Sequence, residues 1–544
     1  MTTYTRLLAL TLGSVLLGAV SLRAQAPSDA LRNASDGLNG TARAQAMGGK
    51  IGALGADPTA ILTNPAGSAL YFKNALSFTM DVNGNFYYPY IDQRQSEAAG
   101  SNWSGGIANL SYISGALGKY TSDSGWNIGW GIQYNKDYDF SRKYGINFAE
   151  PNSSIAEFMA DRANAAGAPW QDYMYDSGTG YDPFMQSGLD PIVTMGMNGG
   201  LIENDGTRFT PGAWAWTGAP DASEKFFLAP NMANLTVNES GAKHSFDINL
   251  SAGLNSRLFF GASLRLGTSS YNRNSEYTEE FFYEPKNNVI RYTYDNELRV
   301  TGHSFGLNLG LLYALGDYGR IGVSYLLPQY ASYDELYYAS AGSYNDAING
   351  DPNMGFNTGE DYLSSNYSMW LPGKLTLSAM AYLGKWGMIT YDFSWQNLAS
   401  ASISGGGDTS AMAGPNTLID EYYGSRFGNH LGLELRPLSW LSLRAGGSYT
   451  TSGIKIQSQN AVMSDEYVAS GTILDYTLPK GTYSGSAGLG FQLGSFSADL
   501  AYVYQLQKNE VYPYPATSGL GISAEGANMD IDRHSIVGTL TLTF

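Results

Sequence analysis

The stretch "WNIGWGIQYNKDYDF" places Trp126, Ile128, Trp130, Ile132, Tyr134, Tyr138 and Phe140 in one register and Asn127, Gly129, Gly131, Gln133, Asn135, Asp137 and Asp139 in the other. Alternation with period two marks a β-strand whose two faces meet different surroundings. Segments of this kind recur at 75–83, 104–114, 125–140, 243–254, 257–271, 290–315, 320–330, 369–383, 388–398, 427–435, 440–452, 481–493, 496–505 and 533–544. The second alternates weakly, and the sixth reads as slipping phase near Gly302. Fourteen is an even number, as single-chain outer-membrane barrels have, and a strand needs about 9–11 residues to span a bilayer. The connections sort themselves. Every second one is short, as at Asn255-Ser256, "GDYG" (316–319), "GKWG" (384–387) and "RPLS" (436–439), while the intervening ones run from 18 to 102 residues. Short turns at one end and long loops at the other are the pattern of such a barrel; a soluble sandwich has no reason to sort its loops. The expected fold is therefore all-β, a 14-stranded antiparallel transmembrane β-barrel spanning residues 75–544. The closing strand "HSIVGTLTLTF" needs no protection of its edge if it pairs with the first.

Composition agrees. Of 544 residues, 66 are Gly, 40 Tyr and 10 Trp, as expected for many turns and an aromatic belt, and none is Cys, which excludes a disulfide framework and thiolate metal sites. Arg6, the apolar run "LLALTLGSVLLGAV" and Ala24-Gln25-Ala26 read as a secretory signal peptide over 1–26, cleaved after Ala26 or Ala24. The formal charge of −17 argues against binding nucleic acid or anionic lipid by charge.

With the apolar register facing lipid, Asp81, Asp247, Arg265, Asp392, Glu434, Arg444 and Asp499 all point into the lumen. Asp247 and Arg265 face each other across the Asn255-Ser256 hairpin, as an ion pair or as a lumenal anchor for a ligand's carboxylate. Among the four histidines, His244, His303 and His534 share the lipid-facing register and His430 faces inward, which suits an interfacial polar belt rather than a triad or metal site. No phosphate loop or metal-ligand spacing is visible, "GGGDTSAMAG" (405–414) reads as an outer loop, and no catalytic residue, metal or cofactor is expected.

Residues 27–74 do not alternate. Asp57-Pro58 suits a helix start, and Asn64-Pro65-Ala66-Gly67 a tight turn that ends it. A small-residue segment of this length fits inside a fourteen-stranded lumen as a helical and looped plug. The run "TARAQAMGG…ALGADPTAILTNPAG", with Thr41, Ala42, Arg43, Ala46, Met47, Gly48, Gly49, Ala53, Leu54, Gly55, Asp57 and the 64–67 turn, resembles the N-terminal hatch of the FadL/TodX family of outer-membrane transporters for hydrophobic compounds. The match covers about 30 residues.

The resemblance implies a monomeric plugged barrel in the outer membrane that takes up fatty acids or other hydrophobic compounds passively, through an outer groove and an inner pocket. It implies a side exit at an inward kink in the third strand. Gly129 and Gly131, on that strand's lumenal face, are the candidates for it, because Gly in a strand often marks a bend or close approach. The loop 141–242 holds 13 of the aromatic residues and six of the 16 Met. Ser154-Ile155-Ala156-Glu157 reads as a capping box ahead of Ile155, Phe158, Met159 and Arg162 at helical spacing. Ile155, Phe158, Met159 and Trp170 are the candidate outer groove, with a self-packed lid core as the alternative. Partners expected are hydrophobic small molecules, outer-membrane lipid and, through the C-terminal strand, the barrel assembly machinery. Three other functions stay open: a rim hydrolase, a surface adhesin and an open porin for polar solutes.

Overall fold

Strands with two unlike faces close on themselves in the computed structural model, which describes residues 26–91, 94–95, 100–115, 125–186, 188–212, 229–283, 288–345, 353–358, 363–405, 412–455, 458, 462–464 and 472–544. The wall strands are β1 (Ala75–Ile91), β2 (Gly100–Ile113), β3 (Trp126–Asp139), β4 (Met232–Leu254), β5 (Leu258–Tyr283), β6 (Asn288–Ala314), β7 (Gly319–Leu326 and Gln329–Asn345), β8 (Leu363–Leu371 and Lys374–Tyr382), β9 (Gly387–Asn397), β10 (Ser425–Leu438), β11 (Leu441–Thr451), β12 (Tyr476–Leu493), β13 (Phe496–Tyr512) and β14 (Ala527–Thr543). Each pairs antiparallel with its neighbour, and β14 pairs with β1 from Ala75↔Thr543 to Tyr90↔Asn528, which closes a fourteen-stranded barrel. Every expected segment is a wall strand. The signal segment up to residue 25 and most of 115–124 and 405–414 lie outside the described residues.

The alternation has its cause in the barrel. On β1, Leu76, Phe78, Met80 and Val82 are exposed on the outer face, while Ser77, Thr79 and Asp81 between them are buried toward the lumen. All seven charged residues expected in the lumen are shielded there, Glu434 and Asp392 completely. Asn255 and Ser256 have φ of 51° and 54°, so the turn closed by the Arg257 amide on the Leu254 carbonyl at 3.1 Å has both central residues left-handed, the geometry that matches strand twist.

The expected phase slip at Gly302 does not exist. Along β6 the even-numbered residues face inward without interruption, from Tyr292 and Tyr294 through Val300 to Asn308 and Leu312. What changes at His303 is polarity. Below it the outer face carries Phe305, Leu309, Leu311 and Tyr313; above it Thr293, Glu297, Arg299 and Thr301. β4 and β5 invert at the same level, where His244 and His303 both pair with Thr268. Above this level the strands form the wall of a barrel with a polar outer face and an apolar interior. The true phase change lies in β7 and β8. Their ladder stops at Leu326↔Lys374 and resumes at Gln329↔Leu371, around Pro328 and Pro372, which have no N–H to donate.

The upper barrel is filled by the long loop. Helices α4 (Ile155–Ala166) and α5 (Pro191–Asn198) bury Phe158, Met159, Ile192 and Met195 against Tyr277, Phe281, Tyr292 and Tyr337 of the wall. Ser154 and Glu157 form the expected capping box.

Candidate functional site

The N-terminal segment lies inside the ring of strands and bonds to the wall on many sides. It carries α1 (Pro27–Asn33), α2 (Ala42–Ala46), α3 (Ala60–Thr63) and a 3-10 turn at Pro65–Leu70. Asp57 ties its parts together: its carboxylate accepts from Thr41 Oγ1 at 2.9 Å and from the Thr59 amide at 2.9 Å. Asn64 ends α3, accepts from the Ala66 amide at 3.2 Å and donates to the Leu311 carbonyl of β6 at 3.1 Å. Further round, the Ala42 amide donates to Thr539 of β14 at 2.8 Å, Arg43 pairs with Glu434 of β10 at 2.8 Å, and the Gly52 amide donates to Asp392 of β9 at 2.9 Å.

Wall glycines make room for it. A Cβ at Gly261 or Gly310 would collide with the Asn64-Pro65-Ala66 turn, and one at Gly432 or Gly446 with Met47 and Gly48. Gly131 belongs to this group, since its Cβ would stand 3.0 Å from Ile61 of α3. Gly131 is laddered to Ile113, and the neighbouring Trp130 carbonyl accepts from the Ser114 amide at 2.8 Å. Gly129 is equally enclosed, with Ser114 and Ser251 each 3.3 Å from a Cβ. Neither glycine stands at a break in the wall.

The break is higher on the same strand. β2 and β3 pair only from Ile113↔Gly131 to Asn109↔Asn135. Above that rung both strands bulge: Ala108 is the extra residue of β2 between Asn109 and Ile107, and Asp137 the extra residue of β3 between Lys136 and Tyr138. β2 stays laddered to β1 and β3 to β4, but no backbone ladder joins β2 to β3, beside the outward-facing Ile107 and Trp103. The Gly37 amide of the N-terminal segment donates to the Asp137 carbonyl at 3.1 Å, so the bulge and the segment touch. Lys136 falls in the register of Trp130, Ile132 and Tyr134, yet its ammonium turns inward and pairs with Asp81 of β1 at 2.7 Å. Ser104 of β2 donates to Asp139 of β3 at 2.8 Å. Lys136 was legible as the one charge on the apolar face of its strand.

A cavity of about 300 Å³ lies behind this break, above α2 and beside α1. Leu31, Tyr138, Phe140, Tyr271 and Leu298 give it apolar wall, but fifteen of its lining residues are Asp, Glu, Lys or Arg. Lys50 shows the strength of the field: burial and the neighbouring Lys374 hold its ammonium down to about 8. Arg533 lines this cavity, and its guanidinium, which acts on Asp139 through space, forms no salt bridge or side-chain hydrogen bond among the described residues. Arg265 faces a smaller cavity of about 100 Å³, and is held by Asp247 at 2.9 Å and Asp137 at 3.7 Å. The expected Asp247–Arg265 contact exists as an ion pair, with Asp137 as a second carboxylate beside the guanidinium.

The expected outer groove is a closed core. Ile155, Phe158 and Met159 are at most 1% exposed and line neither cavity, because α4 turns its apolar face onto the upper wall; Trp170 is 41% exposed at the loop surface. His244 stacks on Tyr134 and His534 bonds to Tyr502 on the outer face, whereas His430 bonds inward to the Gly48 carbonyl at 2.8 Å.

Strand number, closure, outer apolar band and an internal N-terminal segment define a multi-pass β-barrel of the outer-membrane type. No family model and no curated protein matches the chain. Solved structures similar to it include a Pseudomonas aeruginosa FadL homologue (12% identity, 93% of this chain and 98% of that one, TM-score 0.49). They also include the Pseudomonas putida toluene transporter TodX (14%, 94% and 99%, 0.46) and the Ralstonia pickettii toluene transporter TbuX (12%, 93% and 98%, 0.46). The likeness is one of fold.

Proposed function

We propose that this chain is an outer-membrane channel for passive uptake of small amphipathic compounds, which reach the inner cavity and leave sideways between β2 and β3. One observation carries the reading. The way down is filled by the N-terminal segment, wedged against wall glycines, while the wall beside the cavity lacks its ladder. An apolar ligand gains by leaving into lipid, since exposing it to water costs about 25 cal/mol per Å² of apolar area. The charged lining favours a ligand with a polar or anionic end over a plain hydrocarbon, because burying a charge against apolar matter alone is costly. Arg533 is the group in place to meet an anionic end.

Liposome swelling and labelled uptake test this together. The intact protein is expected to pass sugars at near-background rates and to take up dodecanoate. A 27–66 deletion should restore sugar passage and raise single-channel conductance. Rapid sugar passage by the intact protein would favour the open porin instead.

A further inference from the structure

We infer that Lys136 is the bolt of the side opening, and that its ion pair with Asp81 holds the cavity closed to lipid until an anionic ligand takes the place of Asp81. The inference rests on the lateral reading above. By strand alternation Lys136 belongs on the lipid face, after Trp130, Ile132 and Tyr134. The Asp137 bulge and the missing rung to β2 let its side chain turn through the wall, and only there does a route exist from β3 past β2 to Asp81 on β1.

The side chain, 12% exposed, thus reaches from the lipid-facing register beside the gap to a lumenal carboxylate. Asp81 is fixed from its other oxygen by Asn83 Nδ2 at 3.0 Å, so the bolt has a rigid keeper. Asp139, 4.0 Å from the same ammonium, is itself engaged by Ser104 and the Ser141 amide. Asp81, Lys136 and Asp139 all line the larger cavity, so a bound molecule meets the bolt directly. A carboxylate, sulfonate or phosphate can exchange with Asp81 on Lys136 and keep the ammonium paired, leaving the displaced Asp81 with its Asn83 bond as the one stranded charge. A neutral molecule that parted the pair would strand two buried charges. Lys136 is therefore a specificity-determining residue. The bland reading, a lysine that merely neutralises Asp81, predicts no change in the opening when both charges are removed together.

The chain has no cysteine, so single-cysteine probes are clean. Ala108, 4% exposed at the β2 bulge, is the reporter. In the full-length protein in vesicles, Ala108→Cys is expected to react slowly with a bilayer-dissolved maleimide. Reaction should quicken at least tenfold in Lys136→Met, Asp81→Asn and the double variant, and return to the slow rate in Lys136→Arg, which keeps the pair. Heat-modifiable mobility on gels identifies the folded variants. Equal rates in all folded variants overturn the bolt.

Uptake separates the bolt from the reading beneath it. Cells expressing the protein should take up dodecanoate faster than dodecanol, and Lys136→Met should bring the ratio toward one. An unchanged ratio with normal wild-type uptake defeats the bolt alone. Uptake of neither compound by wild type defeats the lateral transport reading, and the inference with it.

Discussion

The side-chain amide of Asn64 donates to the Leu311 carbonyl at 3.1 Å, directly beside Gly310, where any Cβ would strike the same Asn64 side chain. The turn at 64–67 and the wall glycines are therefore one fitted contact, in which the absence of side chains on the wall is what admits the plug. Gly261, under Pro65 and Ala66, completes it.

Enlarging a wall glycine should displace the plug while leaving the barrel. Gly261→Leu and Gly310→Leu are expected to fold, since both positions face the lumen, and to raise single-channel conductance toward that of the 27–66 deletion. Gly538, whose Cβ would meet nothing within 4 Å, is the control. If Gly538→Ala opens the pore as widely as Gly261→Leu, fit at the turn is not what seats the plug.

The wall was legible in the sequence because lipid imposes apolar side chains on one face of every crossing strand. That rule lapses above the membrane. β4, β5 and β6 extend to Met232, Tyr283 and Asn288, well past the apolar registers that reveal them, because outside the lipid band the apolar face turns inward: Leu235 and Val237 are buried and Thr236 and Asn238 exposed. The turn at Asn64 was legible from Asn-Pro and small residues alone. Lys136 is the one charge on an otherwise apolar face, and its meaning depends on two bulges that periodicity does not encode. Gly129 and Gly131 carried a true signal of close approach, but what approaches is the plug at Gly131 and the neighbouring Ser114 and Ser251 at Gly129.

Arg265→Gln is expected to lower stability, not simply ligand affinity. Asp247 is almost fully buried and relies on Arg265 at 2.9 Å, with help from Ser245 at 3.0 Å. Removing one partner of a buried pair costs about 3–5 kcal/mol. The gel-shift melting temperature should fall for Arg265→Gln and recover in part for the double variant Asp247→Asn/Arg265→Gln. A melting temperature equal to wild type would mean that the pair is solvated.

Arg533→Gln should act on ligand and spare the fold. Its guanidinium faces the larger cavity without a hydrogen-bonded partner among the described residues and acts on Asp139 only through space, while Asp139 keeps its bonds from Ser104 and the Ser141 amide. Dodecanoate affinity, followed by displacement of a fluorescent fatty acid, is expected to weaken about tenfold or more, as for a charged hydrogen bond of about 1.5–3 kcal/mol. Dodecanol affinity should not move. An equal loss for both compounds would assign Arg533 to the shape of the cavity rather than to charge recognition.

Lys50 gives plug docking a pH dependence with a definite sign. In the docked plug, burial and Lys374 lower its ammonium from an ordinary 10.5 to about 8, with Asp36 at 4.0 Å opposing them only in part. An undocked Lys50 meets water and keeps its ordinary value, so between pH 8 and 10 the undocked state binds more protons than the docked one. Docking must then strengthen as pH rises through that window, by up to roughly tenfold per pH unit for a single group. Single-channel recordings should show the open fraction falling from pH 8 to 10. Lys50→Met should flatten the slope and hold the pore closed already at pH 7. Lys374→Met should also flatten the slope, because it removes the cation that opposes Lys50 and leaves Asp36 to pair with Lys50 alone. An open fraction that rises with pH in wild type would show that Lys50 is better solvated in the docked plug than its surroundings imply.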